Sequence, residues 1–360
     1  MKVLTVLGAR PQFIKAAPVS NALREAGHTE YLVHTGQHYD FSMSQVFFDE
    51  MNIPAPDINL EIGSGTHGEQ TGKMLASIEA QIVNEQPDCV LVYGDTNSTL
   101  AGALAACKLC VPLAHVEAGL RSFNRSMPEE HNRVLTDHCS DLLFCPTQTA
   151  VGHLEREGIS RGVHLVGDTM YDAVLQFGIS ADQKSTILQK LGLSSKEYLL
   201  ATIHRPYNVD DPIALRNILS AFAAIEELVV FPVHPRTRKR MVETIRDDVN
   251  SLPNNVTMIE PVGYLDMLML EQNSRLILTD SGGVQKEAFF FGVPCITLRP
   301  ETEWVETINA GWNRLVAPNS SSIIGAIGAH NWPQSKPAKL FGDGKASQKI
   351  VEIIEKYALI

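Results

Sequence analysis

The stretch HVEAGLRSFNRSMPEEHNR, residues 115–133, follows a short apolar run from Val111 to Ala114. An apolar run that breaks into a charged loop reads as a buried strand. Glu117 then stands where strand gives way to loop, which is where open α/β sheets hold their ligands. Within the stretch lie Glu117, Arg121, Arg125, Glu129, Glu130, His131 and Arg133, and Pro128 stands where a helix can begin. A solvated surface loop would tolerate the same charges. Charges that directly follow a buried strand point instead to an active site.

Outward from this stretch, strand-like and helix-like runs alternate almost from end to end, the signature of parallel α/β layers. The first half reads as strands at Lys2 to Leu7, Glu30 to His34, Cys89 to Tyr93, Pro112 to Val116, Leu142 to Cys145 and Val163 to Val166. Helical patterns lie between them at Phe13 to Glu25, Glu69 to Asn84 and Thr99 to Leu109. A second series places strands at Leu199 to Ile203, Leu228 to Val233, Val256 to Ile259, Leu276 to Thr279 and Cys295 to Leu298. Its helices are Pro212 to Glu227, Arg238 to Val249 and Val284 to Phe291. The expectation is two doubly wound halves joined by one link between Val166 and Tyr198, followed by a terminal helix from Gly344 to Tyr357.

At 360 residues the chain suggests two domains, and 44% hydrophobic residues suffice for two cores. A formal net charge of −11 argues against nucleic acid or a membrane surface as partner, while a local cation cluster could still hold an anionic small molecule. The amino terminus reads as a first strand rather than a signal peptide, and no apolar segment approaches membrane-spanning length. Six cysteines in apolar or helical surroundings suggest a reduced, cytoplasmic protein. Cys107 and Cys110 form a C-x-x-C without a second pair, so two buried thiols on one helix face are expected rather than a metal site. No cofactor is implied.

Five turns can carry chemistry. Gly8-Ala9-Arg10-Pro11-Gln12 links a strand to a helix whose first turns include Lys15; this suits an anion, although the later glycines of a dinucleotide fingerprint are missing. Asp95, in Gly94-Asp95-Thr96-Asn97, either caps the next helix or converges with Glu117 as an acid/base set. His204 and His234 each end a strand with an arginine nearby. Ser281-Gly282-Gly283 opens a helix whose free N–H groups suit a phosphate or diphosphate, with Glu287 in reach of a ribose hydroxyl.

Taken together, GARPQFIK, GDTNST, HVEAGLRS, PEEHNR, VGDT, the His-Arg after Ile203, the His-Pro at His234 and DSGGVQKEA resemble the non-hydrolysing UDP-N-acetylglucosamine 2-epimerase family, in order and from the first strand to about Val316. The resemblance implies two Rossmann-like domains of the glycosyltransferase-B type facing a cleft that holds a UDP-sugar, and a homodimer. The domains expected are residues 1–168, with the catalytic carboxylates, and 169–342, binding UDP; helix 343–360 is free to pack back on the first. By motif it implies Asp95, Glu117, Glu129 and His204 as the catalytic group. Arg10, Lys15, Arg133, His234, Tyr264, Ser281, Gly282, Gly283 and Glu287 are implied around the nucleotide. The implied reaction is anti elimination of UDP to a 2-acetamidoglycal and re-addition with the opposite C2 configuration.

Tyr207 and Arg236 stand where the family commonly has Glu and Asn. The loop before Pro128 is shorter than usual, and Thr297 to Glu306 looks like the branch acting on UDP-2,3-diacetamido-2,3-dideoxyglucuronate. An extra arginine, Arg125 or Arg236, would then read a C6 carboxylate. The Gln37-His38 pair of the family's allosteric site is followed by Tyr39-Asp40 instead of the usual polar residue. Competing readings are a hydrolysing 2-epimerase, a glycosyltransferase of the same fold and a non-catalytic nucleotide-sugar sensor.

Overall fold

The computed structural model describes residues 1–36, 51, 53–244, 253–329, 331–335 and 337–358. It divides into two compact units, Met1–Gln176 with Lys339–Ile360, and Phe177–Ala338.

In the first unit the strands are β1 (Lys2–Leu7), β2 (Thr29–His34), β3 (Ile58–Asn59), β4 (Cys89–Tyr93), β5 (Leu113–Val116), β6 (Leu142–Cys145) and β7 (Val163–Leu165). They form one parallel sheet in the order β3-β2-β1-β4-β5-β6-β7. Central strands are mostly apolar, with Thr5 and His115 as buried exceptions, because crossover helices cover both faces. One face packs Leu4, Val6, Val90 and Val92 against Met74 and Ile78 of helix His67–Glu85 and Ala101 and Ala105 of helix Asn97–Lys108. The second helix lies very close to the sheet: a Cβ on its Gly102 would come within 3.0 Å of Val92 and 3.2 Å of Val6. Direction reverses between β1 and β4, so the carboxyl ends of these two strands flank the topological switch point.

The second unit repeats the plan with β8 (Tyr198–Thr202), β9 (Leu228–Pro232), β10 (Val256–Ile259), β11 (Leu276–Thr279), β12 (Cys295–Thr297) and β13 (Asn313–Leu315), ordered β10-β9-β8-β11-β12-β13 and all parallel. Alternate residues serve two cores. Leu199, Ala201, Val229, Phe231, Leu276, Leu278 and Ile296 face one, while Tyr198, Leu200, Val230, Ile277 and Cys295 face the other. The reversal here falls between β8 and β11, at Thr202 and Thr279.

Several expectations need correction. β3 and β13, two and three residues long, give too little pattern to be read from sequence. The supposed link is occupied by a long helix, Thr169–Lys184. Cys107 and Cys110 are exposed rather than buried, and Cys110 lies past the helix end with φ +54°. The helix expected at Arg238 to Val249 spans Pro235–Thr244, and residues 245–250 fall outside the described set. The terminal helix, Ala346–Ala358, needs no such correction: it belongs to the first unit, the placement the sequence had left open. Asp172 fixes its start by accepting hydrogen bonds from the Ala346 amide (3.2 Å) and from the Ser347 amide and hydroxyl (2.7 Å each).

Candidate active site

At the switch point of the first unit the chain turns from β1 into helix Arg10–Glu25 through Gly8 and Ala9. The Gln12 side chain stitches this turn to β4. Its Oε1 accepts from the Gly8 and Ala9 amides (2.8 and 3.0 Å), and its Nε2 donates to the Tyr93 carbonyl (2.8 Å) and Thr99 Oγ1 (3.0 Å). One helical turn on, Lys15 forms an ion pair with Glu117 in which both side chains are nearly buried. Glu117 follows β5 with φ +74°, a left-handed conformation that is costly for any residue with a Cβ. Such strain persists only where the surroundings enforce it. Here it turns the carboxylate back over Gly94, at the end of β4. Gly94 has φ +64°, and a Cβ on it would lie 3.3 Å from Glu117 Oε2 and 3.4 Å from Lys15 Nζ, so no side chain fits without displacing the pair.

Asp95 is next. It does not cap the following helix; Thr96 does, accepting from the Thr99 amide at 3.3 Å. Asp95 Oδ2 instead accepts from Arg133 Nη2 (2.6 Å) and Nε (3.0 Å). The same guanidinium donates from Nη1 to Glu130 Oε2 at 2.8 Å. Glu130 also accepts from the Ser122 amide and hydroxyl (2.9 Å each) and the Phe123 amide (2.7 Å). Burial raises the Glu130 pKa, but these hydrogen bonds outweigh it and leave the carboxyl below the ordinary range. Arg133 therefore clamps Asp95 to the helix Pro128–Cys139, and Glu130 clamps the charged loop to the same helix. Glu129, one residue before, is half-buried in the first turn.

In the second unit the analogous turns hold His204 and Ser281. Asp280, wholly buried after β11, accepts from the amides of His204 (3.1 Å) and Arg205 (2.9 Å) and from Asn208 Nδ2 (3.0 Å). Its Oδ1 also lies 3.1 Å from His204 Nδ1. Burial acts to raise the Asp280 pKa, yet the His204 contacts and the other donors hold it below the usual carboxylate range. An imidazole held through Nδ1 presents Nε2 on its opposite edge, and this side chain is 38 % exposed. The His234 ring lies 6.0 Å from that of His204, centroid to centroid. Helix Gly282–Phe291 begins alongside, with no side chain capping it. Its first amides are thus suited to an anion.

The remaining candidates are more scattered. Tyr264 opens helix Tyr264–Asn273 but is only 2 % exposed, packed edge-on against Phe177. Glu287 is buried within helix Gly282–Phe291. Arg236 is exposed and paired with Asp210, and Arg125 is exposed in the loop. Arg10 is the first residue of its helix, and its side chain lies outside the description, as do Gln37, His38, Tyr39 and Asp40. Among the described residues no three His, Cys, Asp or Glu side chains gather as a metal site, and no helix is long and apolar enough to cross a membrane.

A model of the UDP-N-acetylglucosamine 2-epimerase family matches residues 21–355. The chain belongs to this family. It is 54% identical to a Methanococcus maripaludis protein named UDP-N-acetylglucosamine 2-epimerase homolog, over 98% of this chain and 99% of that one. It is 51% identical to the Pseudomonas aeruginosa UDP-2,3-diacetamido-2,3-dideoxy-D-glucuronate 2-epimerase, over 99% and 100%. The crystal structure of Methanocaldococcus jannaschii UDP-GlcNAc 2-epimerase in complex with UDP-GlcNAc and UDP matches it with a TM-score of 0.91 at 46% identity, covering 99% of this chain and all of that one. Epimerase-family membership makes the chain an isomerase by kinship and confirms the two parallel-sheet α/β units expected from the alternation.

Three residues that organise this epimerase fold went without a role in the sequence reading: Gln12, Glu130 and Asp280. Asp280 had a usable signal, being an acid at the end of an apolar strand. Gln12 and Glu130 had only their places inside motifs, because the groups they hold lie on other elements.

Proposed function

We propose that the chain interconverts the gluco and manno forms of a UDP-2-acetamido sugar at C2 without hydrolysis. The observation that carries this reading is the meeting of Glu117 with Lys15 directly against Gly94, with Asp95 next in the chain and clamped by Arg133. The C2 proton of such a sugar has no neighbouring carbonyl to acidify it, so its removal needs simultaneous loss of the C1 substituent. A carboxylate takes the C2 proton, the C1–O bond breaks, and UDP departs with the bonding electrons to leave a 2-acetamidoglycal. UDP then adds back at C1 while a proton is delivered to the other face of C2, so no atom is gained or lost overall.

In this reading Asp95, Glu117, Glu129 and His204 handle protons, with Asp280 orienting His204. The helix start at Ser281, Gly282 and Gly283, together with His234, Arg10, Lys15 and Arg133, stabilises the diphosphate. Glu287 meets the ribose, and Tyr264, its ring in the core, shapes the turn beside the base. We also propose a cytoplasmic homodimer, checked by light scattering of the purified protein.

The test is proton NMR in heavy water with UDP-N-acetylglucosamine and, separately, with UDP-2,3-diacetamido-2,3-dideoxyglucuronate. Deuterium entering C2 with a manno nucleotide product is expected. Release of free sugar would mean the hydrolysing enzyme, and binding without exchange would mean a transferase or sensor. Relatives bearing both substrate names support a second, finer reading in which the uronate is preferred and Arg125 or Arg236 meets its carboxylate. Arg125→Ala and Arg236→Ala should then lower the preference for the uronate about tenfold, the equivalent of a charge-assisted hydrogen bond of about 1.5 kcal/mol. An unchanged preference in both variants removes that assignment.

A further inference from the structure

His115 lies in the middle of β5 with no solvent exposure, and its imidazole spans two elements. Nδ1 is 2.7 Å from Asp137 Oδ1, and Nε2 is 2.8 Å from the carbonyl oxygen of Gly94. The Gly94 carbonyl can only accept, so Nε2 is the donor to it. Asp137 is immobile: it also accepts from Arg121 Nη1 (2.7 Å) and the Gly119 amide (3.1 Å), while Arg121 forks onto Glu157. Burial tends to raise its pKa, but the hydrogen bond and charge of His115 and of Arg121 prevail and keep it ionised below the usual range.

The other end of the imidazole is where the consequence lies. Gly94 donates its amide to the Val116 carbonyl at 3.0 Å and gives its own carbonyl to His115, so β5 holds both polar groups of this one residue. Gly94 is also the residue whose Cα faces the Glu117–Lys15 pair and whose successor is Asp95. Rotation of the peptide between Gly94 and Asp95 would carry Asp95 away from Arg133 and open the floor beneath Glu117. Among the described residues, His115 is the side chain that bonds that carbonyl.

We propose that His115 is a positioning residue for the reaction, fixing the Gly94–Asp95 peptide and so the mutual placement of the Asp95 and Glu117 carboxylates, with Asp137 as its anchor. This rests on the reading of Asp95 and Glu117 as proton-handling groups. The bland alternative is that His115 merely satisfies the buried charge of Asp137. The two roles use different ring nitrogens and can be separated. A glutamine amide reaches about where Nε2 was and can still donate to Gly94; an asparagine amide reaches about where Nδ1 was and can still donate to Asp137.

The experiment compares His115→Gln and His115→Asn for kcat and KM, by C2 deuterium exchange on the nucleotide sugar that turns over, and for thermal midpoint. Positioning predicts kcat within about tenfold of the unmodified protein for His115→Gln and a loss of about a hundredfold for His115→Asn, with KM moved less than threefold. It further predicts that His115→Asn is at least as heat-stable as His115→Gln. If kcat instead follows the thermal midpoint, with Asn the more active, the proposal fails. Asp95→Asn is the control for the underlying reading: full activity there would remove Asp95 from the chemistry whatever the histidine variants do. Should neither histidine variant fold, nitrogen-labelled histidine NMR of the unmodified protein decides. A solvent-protected Nε2–H on this buried histidine is required, and a bare Nε2 would overturn the proposal.

Discussion

The two switch points are built on one plan and hold their acids in opposite ways. At the first, the carboxylates of Glu117 after β5 and Asp95 after β4 are met by the side-chain cations Lys15 and Arg133, and Glu117 is kept in a left-handed backbone. At β8 and β11 Asp280 is enclosed by the amides of His204 and Arg205, by Asn208 and by the His204 ring. On the function proposed above, proton chemistry falls to Asp95 and Glu117, which are met by cationic side chains, and orientation of His204 falls to Asp280, which is met mainly by backbone amides.

The sharpest way to break this contrast is Glu117→Gln, which keeps the shape and removes the base. A loss of about a thousandfold in the rate of C2 exchange is expected. A loss under tenfold would place the chemistry elsewhere. Next in size is Asp280→Ala. It strands buried backbone donors and should cost about 3 kcal/mol of unfolding free energy in urea titration. A loss under about 1 kcal/mol would remove Asp280 from the scaffold of the second switch point.

Much of this organisation is legible in the sequence because it is set by local rules. Apolar runs of four to six residues bounded by turn residues gave strands such as Cys89–Tyr93 and Leu276–Thr279 to the residue, and parallel strands bring their ends together, which brought Asp95 and Glu117 into one reading. Convergence needs only the sheet order. What stayed hidden depends on partners far along the chain. Nothing near Glu30 says that it will be buried under Thr5 and Ser20, nothing near Glu117 signals its positive φ, and Asp172 meets its partners 174 and 175 positions later. β3 is a two-residue strand that exists only because β2 offers an edge.

Two smaller effects sharpen the picture of the first switch point. Gly94→Ala adds a methyl against the Glu117 carboxylate at a left-handed φ. It should cost about 1–2 kcal/mol in stability and lower kcat along with it. A stability loss with full activity would mean that the Glu117 placement tolerates movement. The smallest expected effect is at Glu30, whose pKa is raised above 4.5 by burial, partly opposed by hydrogen bonds from Thr5 and Ser20. A carboxyl with a raised folded-state pKa favours the folded state at pH below its unfolded value, and that contribution is lost as pH rises through the folded value. Glu30→Gln does not titrate. Its stability relative to the unmodified protein should therefore improve between pH 4 and pH 8 by on the order of 1 kcal/mol, read from urea midpoints at the two pH values. An unchanged difference would place the charged form of Glu30 in a solvated setting.

The docking of helix Ala346–Ala358 onto Asp172 also bears on how the protein is made. Because the first unit takes its last helix from the end of the chain, the second unit is an insertion within it. During synthesis residues 177–338 are therefore translated before the helix that completes the first unit, and a chain stalled before residue 346 would lack the group that Asp172 holds.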